Sequence, residues 1–360
     1  MAAYTTIDDS EAHFQAVLWT GNGSANNAIT LPGDTDMQPD LVIIKNRDAA
    51  DDPRWFDAIR GATWYINPGT ASSGYAVSTE DTDTLDSFTS DGFQVDADVT
   101  VNTNTEKYVA WCWKAGGSTA SNSTGDITST VSVNTTAGFA LVKYSGNETD
   151  DQDIGHSLGA VPKFMIFKTY SATNDWSVYH ASNTSAPETD HLVLNRTNAT
   201  ADQVTMFSDE APTSSVFTVG VNQDTNRSSS NNTICYCWTD IQGFSKFGVY
   251  EGNNNADGPF IYCGFRPAMV LIKAIDTTGP WVCVDNKRIE SGSNFDNAVI
   301  FWNETTVEQS TNENHSMNLL SNGFKLTSAD DWTNDPETYV FAAWAHSPFV
   351  NSSGVPNNAR

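Results

Sequence analysis

YVAWCW, residues 108–113, is the stretch from which the fold can be read. Six uncharged residues, two of them Trp, stand together in a chain of 360 residues whose formal net charge is −26. Strand periodicity puts Tyr108, Ala110 and Cys112 on one face and Val109, Trp111 and Trp113 on the other, so both faces are apolar. A strand of that composition belongs in the middle of a sheet covered on both sides. One cover is the partner sheet of a sandwich; the other is a loop, a neighbouring part of the chain or another subunit.

The stretch returns as TICYCW (233–238) and as YVFAAW (339–344), and its surroundings return with it. LWTGNG, KYSGNE and VYEGNN place Trp19, Tyr144 and Tyr250 at steps of 125 and 106. PDLVIIK, PKFMIFK and PAMVLIK start at Pro39, Pro162 and Pro267, and DGFQV, SVFTV and NGFKL centre on Phe93, Phe217 and Phe324. Trp55, Trp176 and Trp281 follow at steps of 121 and 105 and read as one shared position; Trp113, Trp238 and Trp344 close the units. Ordered landmarks at nearly fixed offsets mean repeated units. The chain divides into a lead (1–12), a first repeat (13–115), a Gly/Ser/Thr-rich linker with little to bury (116–135), a second repeat (136–241), a third (243–349) and a tail (350–360).

Short β-branched or aromatic runs bounded by Gly, Asn and Asp turns fill each repeat, and no apolar period of 3.6 persists; DAIRGA at 57–62 amounts to one turn at most. The expectation is an all-β chain of three tandem jelly-roll-like antiparallel β-sandwich domains. The Trp-bearing strand then reads first as packing, since aromatics dominate cores and interfaces alike.

Asp and Glu outnumber Lys and Arg by 44 to 18, which argues against nucleic acid and anionic membranes as partners. No run of about 18 apolar residues is present, as a membrane helix needs, and no secretory leader is visible at the start. Five cysteines at irregular spacing (Cys112, Cys235, Cys237, Cys263 and Cys283) lie in apolar runs and read as buried free thiols of a protein folded in a reducing cytoplasm.

Catalytic signatures are missing: there is no nucleophile elbow, zinc helix, phosphate loop or dinucleotide fingerprint, and no His recurs beside a Ser or Cys. No enzyme is expected and no cofactor is required. GNETDDQDIGHSLG (146–159) and DTDTLDSFTSDG (81–92) offer the oxygen ligands calcium prefers, yet a solvated acidic loop accounts for both. If calcium binds, Asp150, Asp151 and Asp153, or Asp81, Asp83 and Asp86, are its places. Trp55, Trp64, Tyr65, Trp176 and Tyr179 are candidates for stacking on a glycan or for an interface, while Trp111, Trp113, Tyr236, Trp238 and Trp344 are the aromatics of the repeat core.

The combination GNG…ITLPG…PDLVIIKNRD…FDAIRGAT…DSFTSDGFQV…YVAWCWKAGG, with IGHSLGAVPKFMIFK in the second repeat, resembles a repeat domain of structural proteins of tailed bacteriophages. Marine phages carry it, usually as tail fibre or tail-associated protein, and a lectin-like sandwich is expected for it. The likeness weakens in the third repeat, where GPFIYCGFRP replaces the His-x-Leu-Gly element. What the resemblance implies is a non-enzymatic virion component assembled in the host cytoplasm among other virion proteins, in contact with host-surface glycans. A homotrimer is expected, because fibre proteins commonly trimerise and two-sided apolar strands leave room for a subunit interface. The alternatives are a head decoration or capsid-fibre protein and, more remotely, a carbohydrate-processing enzyme.

Overall fold

The computed structural model describes residues 4–68, 77–288, 298–310, 315–329 and 332–357. It is all-β, as expected: among the described residues the only α-helices are two single turns, Val99–Asn102 and Val204–Phe207. None is long and apolar enough to cross a membrane.

The strands form three pairs of antiparallel sheets, one pair per repeat, with one connectivity. In the first large sheet, Lys107–Trp113 lies between Phe14–Thr20 and Leu41–Asn46, followed outward by Arg54–Asp57, Trp64–Ile66 and Thr79–Glu80. In the second, Asn232–Trp238 lies between Phe139–Ser145 and Phe164–Thr169; in the third, Thr338–Pro348 lies between Ser245–Glu251 and Phe265–Ala274. The closing strand of each repeat is therefore central, and its Trp has the same register each time. Trp113 faces Phe14 and Leu41, Trp238 faces Phe139 and Phe164, and Trp344 faces Ser245 and Met269.

A small sheet covers one face of each large one. Ile29, Phe93 and Val95 pack on Val42, Ile44, Tyr108, Ala110 and Cys112 in the first repeat. Ile154, Phe217 and Val219 pack on Met165, Phe167, Cys235 and Cys237 in the second. In the third, Phe324 lies edge-on to Phe341 at 5.4 Å. The GNG, GNE and GNN landmarks have a local cause. A Cβ on Gly21, Gly146 or Gly252 would come within 2.1, 1.9 or 1.9 Å of the carbonyl oxygen of Thr103, Arg227 or Asp335. The backbone N–H of the following Asn (Asn22, Asn147, Asn253) donates to the side-chain oxygen of a fully buried Asn102, Asn226 or Asn334.

The second cover is the other repeats. Val109, Trp111, Trp113, Ile234, Tyr236, Trp238, Val340 and Trp344 belong to one buried cluster that spans all three sheet pairs. At its centre Trp113, Trp238 and Trp344 form a triangle of edge-to-face rings, with centroids 5.9, 5.7 and 5.2 Å apart. Edge-to-face packing sets the positive ring edge on a negative ring face. The two-sided strand that suggested a subunit interface is thus covered from within the chain.

Three expectations need correction. The stretch 116–135 is no idle linker. Ala120–Asn122 and Ser129–Asn134 extend the second large sheet to eight strands, and Ile127 and Val131 are buried. The lead, set apart from the repeats in the sequence, is joined to them: Ile7 is buried in the shared core, and Thr5 donates to Gln242 O at 2.7 Å. In the tail, whose last residues 358–360 lie outside the described ones, the Ser352 N–H donates to Asp8 Oδ1 at 2.6 Å, so the two chain ends meet. Finally, Trp55 does not share a position with Trp176 and Trp281. Strand pairing aligns Asp57, His180 and Asp285, so Trp55 matches Val178 and Cys283, two residues along. A two-residue offset keeps the same face, which is why all three indoles still point inward.

Candidate functional site

The three seams between repeats are built from equivalent positions. At the first, Asp57 accepts from Tyr236 Oη at 3.0 Å and from Arg60 Nε at 2.6 Å. At the third, Asp285 accepts from Trp111 Nε1 at 3.0 Å and from Arg288 Nε at 2.6 Å. Both carboxylates are fully buried. Burial of such a pair is tolerable because each charge keeps both a countercharge and hydrogen bonds. At the second seam the pattern changes on both sides: His180 stands in place of the Asp, Asn183 in place of the Arg, and Ala342 in place of the aromatic donor. His180 Nε2 lies 3.1 Å from Phe341 O while its Nδ1 accepts from the Ser182 N–H at 3.1 Å, which fixes a neutral ring protonated on Nε2. Burial lowers its pKa from 6.5 to about 4.

Volume follows the same exchange. The strand partner of Trp111 is Ala16, that of Tyr236 is Leu141, and that of Ala342 is Phe247. Phe247 fills the room Ala342 leaves and packs on Phe164 at 5.7 Å. A densely packed interior requires such compensation.

The Lys that ends each apolar run is buried as well. Lys45 donates to Thr305 O at 2.9 Å in the third repeat, and Lys273 donates to Thr197 O at 3.3 Å in the second. Lys168 donates to Asn174 O. Desolvation lowers all three from 10.5 to about 8. The loops holding Thr197 and Thr305 also line a polar cavity of about 330 Å³ between Asn195–Asn198 and Asn303–Thr306. Its polar walls are engaged: Asn195 Oδ1 caps the Trp176 N–H at 2.9 Å, and Asn303 Oδ1 caps the Trp281 N–H at 2.9 Å.

A second recess, of about 380 Å³, opens between the lead and the third repeat. Tyr4, Asp240, Gln242, Lys246, Tyr262 and Gly264 line it. Tyr4 Oη donates to Gly264 O at 2.8 Å and lies 3.2 Å from Tyr262 Oη, which holds the two phenols side by side. Lys246 Nζ pairs with Asp240 Oδ2 at 2.9 Å, and both side chains remain open to solvent.

The aromatics singled out from sequence separate into two groups. Trp55 and Trp176 are buried against each other at the first seam, with centroids 5.1 Å apart, and Tyr179 is buried edge-on to Phe207. None of the three offers a ring face to a sugar. Trp64 is at the surface, and Tyr65 carries the Arg54 guanidinium 4.0 Å from its ring centre. Trp111, Trp113, Tyr236, Trp238 and Trp344 are core, as expected.

Asp150 accepts from Ser208 Oγ, Asp153 from Thr218 Oγ1, and Asp81 from the Asp83 N–H. Among the described residues no three acidic, His or Cys side chains gather as a cation would need. All five cysteines are buried and outside any disulfide, and burial pushes the Cys112, Cys235 and Cys263 thiols up.

The sequence reading missed Tyr4 and Tyr262, and it gave no role to the recurrent Lys. A signal existed for the seam carboxylates: Asp-x-x-Arg occurs at 57–60 and 285–288, and His-x-x-Asn at 180–183.

The model of one family, a domain of unknown function (DUF7483), matches residues 9–348. That single match takes in all three sheet pairs. No curated protein gives a match. No solved structure gives one either.

Proposed function

The chain belongs to this family of unknown function, and we propose that it is a non-enzymatic structural component of a tailed-phage particle, a tail fibre or tail-associated appendage that contacts the host surface. The observation that carries this reading is the closed ring of three sheet pairs around the Trp113–Trp238–Trp344 triangle. A fibre head ordinarily needs three chains to obtain threefold packing; here one chain supplies an approximation of it. The ring is a rigid bead, and the loops and outer strands at its rim are free to vary without disturbing the core.

The apolar faces that three chains would share are already used inside this one. Its expected partners are therefore other virion proteins, together with surface glycans, and a second copy is not needed to complete the fold. The same approximate threefold symmetry favours one other reading, a decoration seated at a threefold position of the head.

Gold-labelled antibody on purified particles, or reconstruction of the particle, tests both. Density for the ring on the tail supports the first reading and density on the shell supports the second. Absence of the chain from intact particles, or shortening of a host polysaccharide by the purified chain, overturns the proposal.

A further inference from the structure

We infer that the recess between Tyr4 and the third repeat, with the aromatic strand beside it, binds an uncharged saccharide. This rests on the host-contact reading above and gives it a place on the molecule.

The argument begins with the strand Phe260–Tyr262, at the edge of its three-stranded sheet. Ile261 points inward and is buried, whereas Phe260 and Tyr262 point out and are 46% and 56% exposed. Comparison with the other two repeats shows that the fold does not need these rings. Pairing with Phe324, Phe93 and Phe217 makes Ile261, Ile29 and Ile154 equivalent. The positions of Phe260 and Tyr262 are therefore held by Ala28 and Thr30 in the first repeat and by Asp153 and Gly155 in the second. The inward Ile is kept in all three; the outward aromatic pair occurs once. Exposed large rings that the scaffold does not require mark a contact surface.

The chemistry of the recess selects the partner. The Tyr4 and Tyr262 rings stand beside the Asp240–Lys246 pair and the Gln242 side chain. Apolar ring faces next to convergent acceptors and donors match a pyranose, which presents C–H groups on one face and hydroxyls at its edge. The volume, about 380 Å³, is at the lower end of the range for small-molecule sites. A phosphorylated or sulfated ligand fits poorly, because the cation lining the recess is already paired with Asp240. The chain as a whole is also acidic. Of 18 Lys and Arg, five (Lys45, Arg60, Lys168, Lys273 and Arg288) have buried side chains, against 44 Asp and Glu in all.

The test uses the full chain on an array of uncharged hexose, deoxyhexose and N-acetylhexosamine oligosaccharides, with affinities for the best of them from titration calorimetry. Tyr262→Ala and Phe260→Ala are expected to weaken binding about tenfold each, the equivalent of about 1.4 kcal/mol, with the melting temperature unchanged because both rings face solvent. Trp64→Ala, which removes a surface ring elsewhere, is expected to bind as the parent does. Absence of binding to every array member overturns the inference, and so does binding that Tyr262→Ala leaves intact. Burial of Tyr262 against another protein in the assembled particle overturns it too, and makes the recess a structural contact. The host-contact reading fails separately, by absence of the chain from particles, whatever the array shows.

Discussion

Replacing Trp344 with Ala tests whether the three sheet pairs are one cooperative body. Trp344 is fully buried, and its ring is walled by Trp113 at 5.2 Å, Phe247 at 5.6 Å, Trp238 at 5.7 Å and Phe14 at 6.0 Å. Those rings come from all three repeats and cannot close on the gap without moving a whole sheet. The loss is then about 4 kcal/mol, within the range for large aromatic to Ala changes. The consequence for melting depends on what unfolds together. At roughly 2.1 cal/mol/K of unfolding entropy per residue, the whole chain carries about 0.8 kcal/mol/K, so its melting temperature falls by about 5 °C. A third repeat melting alone would carry only about 0.22 kcal/mol/K, and its own transition would fall by about 18 °C while two others stayed in place. Differential scanning calorimetry separates the cases. One endotherm, displaced by a similar few degrees in Trp113→Ala, Trp238→Ala and Trp344→Ala, is the expected result. Separable endotherms with a single one displaced by the larger amount would refute the shared-core argument.

Further predictions follow from the seams. Asp285→Ala removes the nearer of two carboxylates on Arg288, leaving Glu308 at 3.3 Å, and the acceptor of the Trp111 N–H, and is expected to cost about 3 kcal/mol; denaturant titration reads it, and a loss under 1 kcal/mol would count against the seam. Stability is expected to rise with pH above about 8, since Lys45, Lys168 and Lys273 titrate near 8 when folded and at 10.5 when unfolded. Across that window the unfolded chain holds more protons, so raising the pH favours the fold. The buried thiols act in the opposite sense above about 9, where they ionise only in the unfolded chain, so the maximum is expected near pH 9. His180, held near 4, subtracts stability as pH falls through 6.5, and His180→Gln is expected to reduce that acid sensitivity in pH-dependent melting. All five thiols are expected to resist a thiol reagent in the native chain and to react together on unfolding.

The fold was legible because its determinants are local. Alternation in YVAWCW fixed which residues face which layer, and the structure separates Tyr108, Ala110 and Cys112 from Val109, Trp111 and Trp113 as alternation requires. The same rule applied to DITSTVSV (126–133) would have shown Ile127, Ser129, Val131 and Val133 at alternate positions, a strand signal outweighed by the Ser/Thr content around it. What covers the second apolar face could not be read, because periodicity gives the direction of a side chain and not its distant partner. Constant spacing likewise misaligned Trp55, since a two-residue slip preserves the facing of every side chain. The recess was hidden for a different reason: it joins Tyr4 to Tyr262, 258 positions apart, and no motif records such a meeting.

The contrast between repeats also separates structural residues from functional ones without an alignment. A residue kept in all three repeats answers to the shared architecture, as do the axial Trp, the buried Lys and the Gly-Asn turns. A residue that differs between repeats and changes together with its neighbour answers to packing at one seam, as His180 does with Ala342 and Phe247. Outward residues that differ while the inward Ile between them is kept answer to neither, and Phe260 and Tyr262 meet that description. Joining three units in one chain makes this division of labour available, because each can diverge at its rim while the axis stays constrained. A homotrimer could not place an aromatic pair on one rim alone; whatever it presents, it presents three times. Recognition by this chain is therefore expected to be one-sided, with one saccharide bound per chain and not three, and a calorimetric stoichiometry near three would contradict that reasoning.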